Sequence, residues 1–227
     1  MINISRKSVA YNYLYEEIIE GKLAPNTTIT ETDIANKLGI SRTPVREALK
    51  ELELDGLIVG ATGRSSIVSD ITPDDVEEIF SIRIALELLA LEKSINRISD
   101  GEIDRLIEIF KNEKKDFSWE RNHQYDKELH GLLIKRSGNK RLKIFLNNLN
   151  AQIERFRRIA AKSKGRANKS IDEHIDILLS IKTRDIEKSK ESLKKHLLSV
   201  KNSVIDIAVV EALTSLVKER SFEEKWR

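Results

Sequence analysis

The sequence predicts a mainly helical protein in two parts: a small N-terminal unit of three helices with a β-hairpin, then an all-helical bundle of about six helices. Three observations carry that expectation. Only nine Gly and three Pro punctuate the 227 residues, so most of the chain is free of strong helix breakers. Between Thr30 and Leu57, TETDIANKLGISRTPVREALKELELDGL, two sets of helix start and stop signals flank a tight turn. Beyond Asp70 no alternating strand pattern appears, while apolar residues recur at helical spacing.

Taken in order, Val9, Leu14 and Ile18 mark a first helix of about fifteen residues that ends at Gly21. Thr27-Thr28-Ile29 is short and β-branched and suits a small strand. Thr30 caps a second helix, with Asp33 three residues on; Ile34, Ala35 and Leu38 form its apolar face and Gly39 ends it in a left-handed turn. Ser41 or Thr43 caps the third helix, and Pro44 suits its first turn. Val45, Ala48, Leu49 and Leu52 give that helix its buried stripe, and Gly56 stops it. Its polar face carries Arg42, Thr43 and Arg46 at the N-terminal end, where the second helix of a helix-turn-helix meets base edges and phosphates. Leu57 to Val59 and Ser66 to Val68 then read as two strands around Gly60 and Gly63, with Thr62, Gly63 and Arg64 at the hairpin tip as DNA contacts.

Asp70-Ile71-Thr72-Pro73-Asp74 is the expected boundary, dividing the chain into residues 1–70 and 71–227. The second part is long enough for its own core. Six helices are expected there: Thr72–Ile98, Asp100–Lys115, Trp119–Ser137, Lys140–Lys164, Lys169–Ile181 and one from Asp185 onward. The breaks between them fall at Gly- and Ser-containing segments such as Ser137-Gly138-Asn139.

Composition excludes several classes. Forty percent apolar and thirty-four percent charged residues fit a globular chain with much helical surface. No apolar run is long enough to span a bilayer, and the N-terminus starts no signal-peptide pattern. Zero cysteines leave no disulfide framework and no thiolate chemistry. A cytoplasmic protein is the expectation. Charge alone does not point to DNA, because residues 1–70 hold eight Lys or Arg against ten Asp or Glu.

The second part carries one chemical constellation. Asp126 and His130 are spaced i, i+4 and leave one face of a helix. His174, in DEHIDILLSI, and His196, in LKKHLLSV, each lie beside an apolar stripe. A charged imidazole there would be poorly solvated, whereas a neutral one bound to a metal has its lone pair used. One Asp and three His suit a divalent transition metal, with zinc, nickel, manganese and iron all compatible. Taken singly, each His reads more readily as a core or surface residue than as a ligand. Arg83, followed by Glu87 at i+4, reads by itself as an ordinary helix-surface ion pair.

The literal run SRTPVREAL, followed by LELDGLI and GATGRSSIV, resembles the winged helix-turn-helix of the GntR family of bacterial transcription regulators. The D-x-x-x-H, E-H-x-x-I-L and H-L segments of the second part resemble the effector-binding FCD domain of the FadR subfamily. That resemblance implies a homodimeric, sequence-specific DNA-binding regulator, a repressor, acting on an inverted-repeat operator. It implies a divalent metal on Asp126, His130, His174 and His196, and a small carboxylate effector held by the metal and Arg83. His123 has no counterpart in the pattern and is expected to be exposed. Asn26 and Ser65 depart from the family's usual Gly, and Thr32 stands where some members have an Arg that touches DNA, which puts one DNA contact and the wing conformation in question. Two other readings stay open: a DNA-binding dimer whose metal is purely structural, and a metal-dependent enzyme.

Overall fold

The computed structural model describes residues 5–60 and 65–224, with residues 211–224 described as backbone alone. The chain divides into two compact units, Met1–Thr72 with Asn148–Arg158, and Pro73–Asn147 with Ile159–Arg227.

The first unit contains α1 (Arg6–Ile19), β1 (Thr28–Thr30), α2 (Glu31–Leu38), α3 (Arg42–Leu54), β2 (Ile58–Gly60) and β3 (Ser65–Val68). Thr30 caps α2 by accepting from the Asp33 N–H, and Gly39 takes a left-handed φ of 64° at its end. Ser41 occupies the cap position of α3, with no side-chain hydrogen bond. Asn26 adopts φ 65°, a conformation that Asn tolerates better than most non-Gly residues. The strands form one antiparallel sheet in the order β1-β3-β2, with Ile29 opposite Ser66 and Val59 opposite Ile67. Ala10, Leu14 and Ile18 of α1 pack with Val45, Ala48 and Leu52 of α3 into a core that Leu57 and Val68 complete. Thr62, Gly63 and Arg64 lie outside the described residues.

The second unit is built on α4 (Pro73–Ser94), α5 (Asp100–Lys115), α6 (Trp119–Ser137), α7 (Lys140–Asn148), α9 (Arg166–Lys182) and α10 (Ile186–Glu224). The single helix expected over Lys140–Lys164 is instead two, because the chain breaks at Leu149 between α7 and α8 (Asn150–Ala161). Three asparagines around that residue, Asn147, Asn148 and Asn150, favour local side-chain bonds over continued helix. The break brings Ala151 of α8 into the core of the first unit, where Gln152 Nε2 also donates to the Asp55 carbonyl at 3.2 Å.

Ion pairs fix the helix directions of the second unit. Glu77 pairs with Lys201 and Glu92 with Lys190, both at 2.7 Å, so α4 and α10 run antiparallel. Lys114 pairs with Asp172 and Lys182 with Asp104, which sets α9 antiparallel to α5. Glu102 meets Arg136 and Glu113 meets Arg121, which sets α6 antiparallel to α5 as well. Arg97 Nη1 reaches the Ser137 carbonyl at 3.0 Å while Glu87 meets His130, so α4 runs with α6. Thus α4, α6 and α9 share a direction and α10 opposes them. Leu91, Ile103, Leu106, Phe110, Leu129, Ile177, Leu193 and Leu197 fill the space between these helices.

Ser99 and Glu102 form a reciprocal capping box at the start of α5. The Arg136 hydrogen bond, helped by the Ser99 backbone N–H, holds the Glu102 carboxyl down at about 2. A carboxyl lowered in the folded state stabilises above its unfolded value and loses that contribution as pH falls through its folded one. Glu102→Gln should therefore be less stable than wild type at neutral pH by about 1 kcal/mol. The gap should close as pH is lowered from about 4.5 to about 2, read by urea unfolding.

Candidate metal centre and nucleic-acid interface

Helix α3 buries Val45, Ala48, Leu49 and Leu52 and turns Arg42, Thr43 and Arg46 to solvent. The 3.6-residue period leaves no other arrangement once the apolar stripe has found its core. Arg46 is held in place by Glu31, in the first turn of α2. Its Nε donates to Glu31 Oε1 at 2.6 Å and its Nη2 to Oε2 at 2.8 Å. Glu31 is buried whereas the Arg46 side chain is 57% exposed. Two parallel bonds fix the guanidinium plane, so Arg46 stands out from the surface in one orientation. The sequence reading gave Glu31 no role; its place in the first turn of the preceding helix was the available signal.

In the second unit the structure brings Asp126, His130, His174 and His196 together. One ligand atom from each lies within 4.8 Å of the others. Ligands 2.0–2.2 Å from one tetrahedral ion stand roughly 3–3.5 Å apart, so small side-chain movements suffice for shared coordination. Asp126 Oδ1 is 3.2 Å from His174 Nε2 and 3.6 Å from His130 Nε2. The His174 and His196 rings have centroids 4.5 Å apart, and His174 also packs on the Phe110 ring at 4.8 Å. All three histidines are almost completely buried.

Two carboxylates prepare the imidazoles. Glu87 Oε2 meets His130 Nδ1, and Glu173 Oε2 meets His196 Nδ1 at 2.8 Å. Burial alone would raise the Glu87 carboxyl, but His130 and Arg83 outweigh it and hold it well below the usual carboxylate range. Burial also opposes the lowering of Glu173, yet His196 and Arg166 bring it down to about 2. Both carboxylates are therefore ionised acceptors, and the Nδ1 atoms must be the donors. That leaves Nε2 as the lone-pair atom of each ring in its neutral form, the arrangement that orients metal-binding histidines.

None of the three Nε2 atoms takes part in a hydrogen bond within the protein. Burial, with the charge of His174 nearby, pushes His196 down to about 3, and burial lowers His174 as well. Burial works against the charge on His130 too, but Glu87 and Asp126 prevail and raise it. Orphaned, mostly neutral nitrogens beside a carboxylate oxygen fit a divalent ion. Imidazole and carboxylate together suit a first-row transition metal.

Arg83 is buried, unlike the surface pair that its spacing alone would suggest and in keeping with the interior position that the family resemblance implies. It is 1% exposed, and its Nε donates to Glu87 Oε1 at 2.7 Å. Its guanidinium carbon also lies 5.4 Å from the Phe80 ring centre. Arg83, Glu87 and His130 thus form a buried relay into the donor cluster. A second relay, Arg166–Glu173–His196, enters from the opposite helices. The sequence reading passed over both Arg166 and Glu173, although their i, i+7 spacing places them on one face of α9. His123, expected to be exposed, is partly buried and stacks on Trp119 with ring centres 5.5 Å apart.

Comparison with known proteins bears on both units. The pattern of the gntR family of bacterial regulatory proteins matches residues 6–68, and that of the FCD domain matches residues 78–199. The HTH-type transcriptional regulator YdhC of Bacillus subtilis (strain 168) is 33% identical over 196 residues, covering 83% of this chain and 84% of its own. The gluconate operon transcriptional repressor of the same organism is 26% identical over 215 residues, covering 90% and 88%. Among solved structures, Escherichia coli McbR/YncC superposes with a TM-score of 0.69 at 21% identity, covering 92% of this chain and 99% of that one.

Proposed function

Because this chain belongs to the GntR family of bacterial regulatory proteins and carries an FCD domain, we propose that it is a FadR-type repressor whose operator affinity is set by a small carboxylate bound at a divalent metal. The chain is a DNA-binding transcription regulator, and its relatives are regulators rather than enzymes.

The observation that carries the proposal is the convergence of Asp126, His130, His174 and His196, with Glu87 and Glu173 behind two of the rings. These four residues would hold the ion, which supplies a Lewis-acidic position for an effector carboxylate. Arg83 is the guanidinium on the Glu87 side of that position. A buried ion pair is weak evidence for stability, so its presence beside the cluster favours a binding role.

On the DNA side, Arg42, Thr43 and Arg46 would read bases and phosphates, with Thr62, Gly63 and Arg64 of the wing as further contacts. Ile82 and Leu89 lie two turns apart on α4 and remain exposed, which supports pairing with a second copy. A two-fold dimer reads an inverted repeat. Among the described residues no helix is long and apolar enough to cross a membrane.

Elemental analysis of the purified protein and mass spectrometry of its acid-released small molecules test the effector half. Retention of a divalent transition metal, together with a small organic acid, is the expected result. Protein that takes up no divalent metal at neutral pH would refute the site. Operator selection from random DNA tests the other half and should return a short inverted repeat; asymmetric sites alone would refute the symmetric dimer.

A further inference from the structure

Arg166 is a buried cation in an unfavourable place. It is the first residue of α9, whose N-terminus carries the positive end of the helix dipole, and Gly165 before it offers no side-chain cap. It is 5% exposed although the residues on either side of it face solvent or nearly so. Its Nη2 donates to Glu173 Oε2, the same oxygen that accepts from His196 Nδ1. Its Nε and Nη1 are buried with no hydrogen-bond partner. Leaving such donors unmet is costly, and more so for a charged group.

Helix directions place those donors. Arg83 lies one turn before Glu87 on α4, Asn122 one turn before Asp126 on α6, and Arg166 two turns before Glu173 on α9. The three helices run the same way, so all three residues lie on the same side of the metal-ligand cluster. Asn122 is also buried, and its Oδ1 has no partner. Arg83 and Arg166 therefore lie on one side of the cluster on different helices, each tied by a single carboxylate to a different histidine of it.

From this we propose that the effector is a compact dicarboxylate, one carboxylate bound by the metal and Arg83 and the other by Arg166, with Asn122 as a further polar contact. The proposal rests on the metal-and-carboxylate reading given above and adds the second anionic end. A guanidinium favours a carboxylate because its planar N–H groups match the two oxygens. One carboxylate and one imidazole separate Arg166 from the Nε2 face of His196, which suits a short diacid rather than a long acyl chain.

The test compares four-carbon acids that differ in the second carboxylate, on the full chain loaded with zinc. Succinate should bind wild type about tenfold to a hundredfold more tightly than butyrate by calorimetry, the advantage of a charge-assisted pair. Zinc content is measured on each variant, because Arg166 also holds Glu173 behind His196. In zinc-loaded protein Arg166→Gln should bring succinate affinity down to that of butyrate, and Arg166→Lys should restore part of the difference. Arg83→Gln should weaken both acids. Equal affinity of wild type for succinate and butyrate, or an undiminished preference in Arg166→Gln, would overturn the proposal while leaving the carboxylate site standing. Loss of zinc from both Arg166 variants would make the residue a support for Glu173 and also overturn it. If neither acid binds zinc-loaded protein, the carboxylate reading falls with it.

Discussion

Replacing His174 by alanine should abolish the metal-dependent rise in melting temperature while leaving helix content unchanged. His174 would be the central donor of the proposed site: its Nε2 lies 3.2 Å from Asp126 Oδ1, and its ring contacts those of both other histidines. An ion there joins α6, α9 and α10. A ligand at a hundred times its dissociation constant stabilises the native state by about 2.7 kcal/mol. For a chain of this size that corresponds to roughly 5–10 °C in melting temperature. Wild type should show that rise on adding zinc and lose it to a chelator. The variant will start from a lower baseline, because removing the ring leaves a cavity against Phe110. The decisive quantity is therefore the difference with and without metal. An unchanged metal response in His174→Ala would reduce the histidines to core residues.

The second large effect is expected at Arg46. Arg46→Ala should weaken operator binding by about tenfold to a hundredfold and relax preference at one base pair. The Glu31 fork adds a consequence that the spacing of α3 alone does not reveal. With Nε and Nη2 engaged, the guanidinium is presented in a fixed orientation, so Glu31→Gln should also lower operator affinity with Arg46 intact. Melting curves of both variants separate loss of DNA contact from loss of stability, since Arg46→Ala takes the guanidinium from a buried carboxylate. Arg42→Ala, by contrast, should weaken all sequences alike and reduce the salt slope by about 1. Arg46→Ala with wild-type affinity for a selected operator would rule the reading role out.

The first unit was legible because its signals are local. Thr30, Gly39 and the Val45–Leu52 stripe each act within a few residues of themselves, and each appears where its chemistry places it. Asp126, His130, His174 and His196 were grouped by the family resemblance more than by their own positions, since each His singly reads as a core or surface residue, and the helices do bring the four together. What escaped the sequence is tertiary. The break at Leu149 and the packing of Ala151 with the first unit carry no periodic signature. Glu173 and Arg166 draw no notice in the sequence, Arg166 falling in an expected break between helices, until the fold buries Arg166 and brings the partly buried Glu173 against His196. Arg83 and Glu87 show the same limit, since an i, i+4 pair reads alike on a wet face and in a core.

In the proposed mechanism the metal-held acid controls DNA binding. A ligand shifts a regulator only through unequal affinity for its DNA-competent and incompetent states. The direct measurement is operator affinity, by fluorescence anisotropy, for protein as purified, protein stripped of metal and small molecules, and stripped protein given back both. Affinity should differ between the first two states by about 5- to 150-fold, the usual range of such coupling, and return with the third. The same affinity in all three states would contradict the claim and leave a DNA-binding protein whose metal, if bound, serves only to tie its helices together.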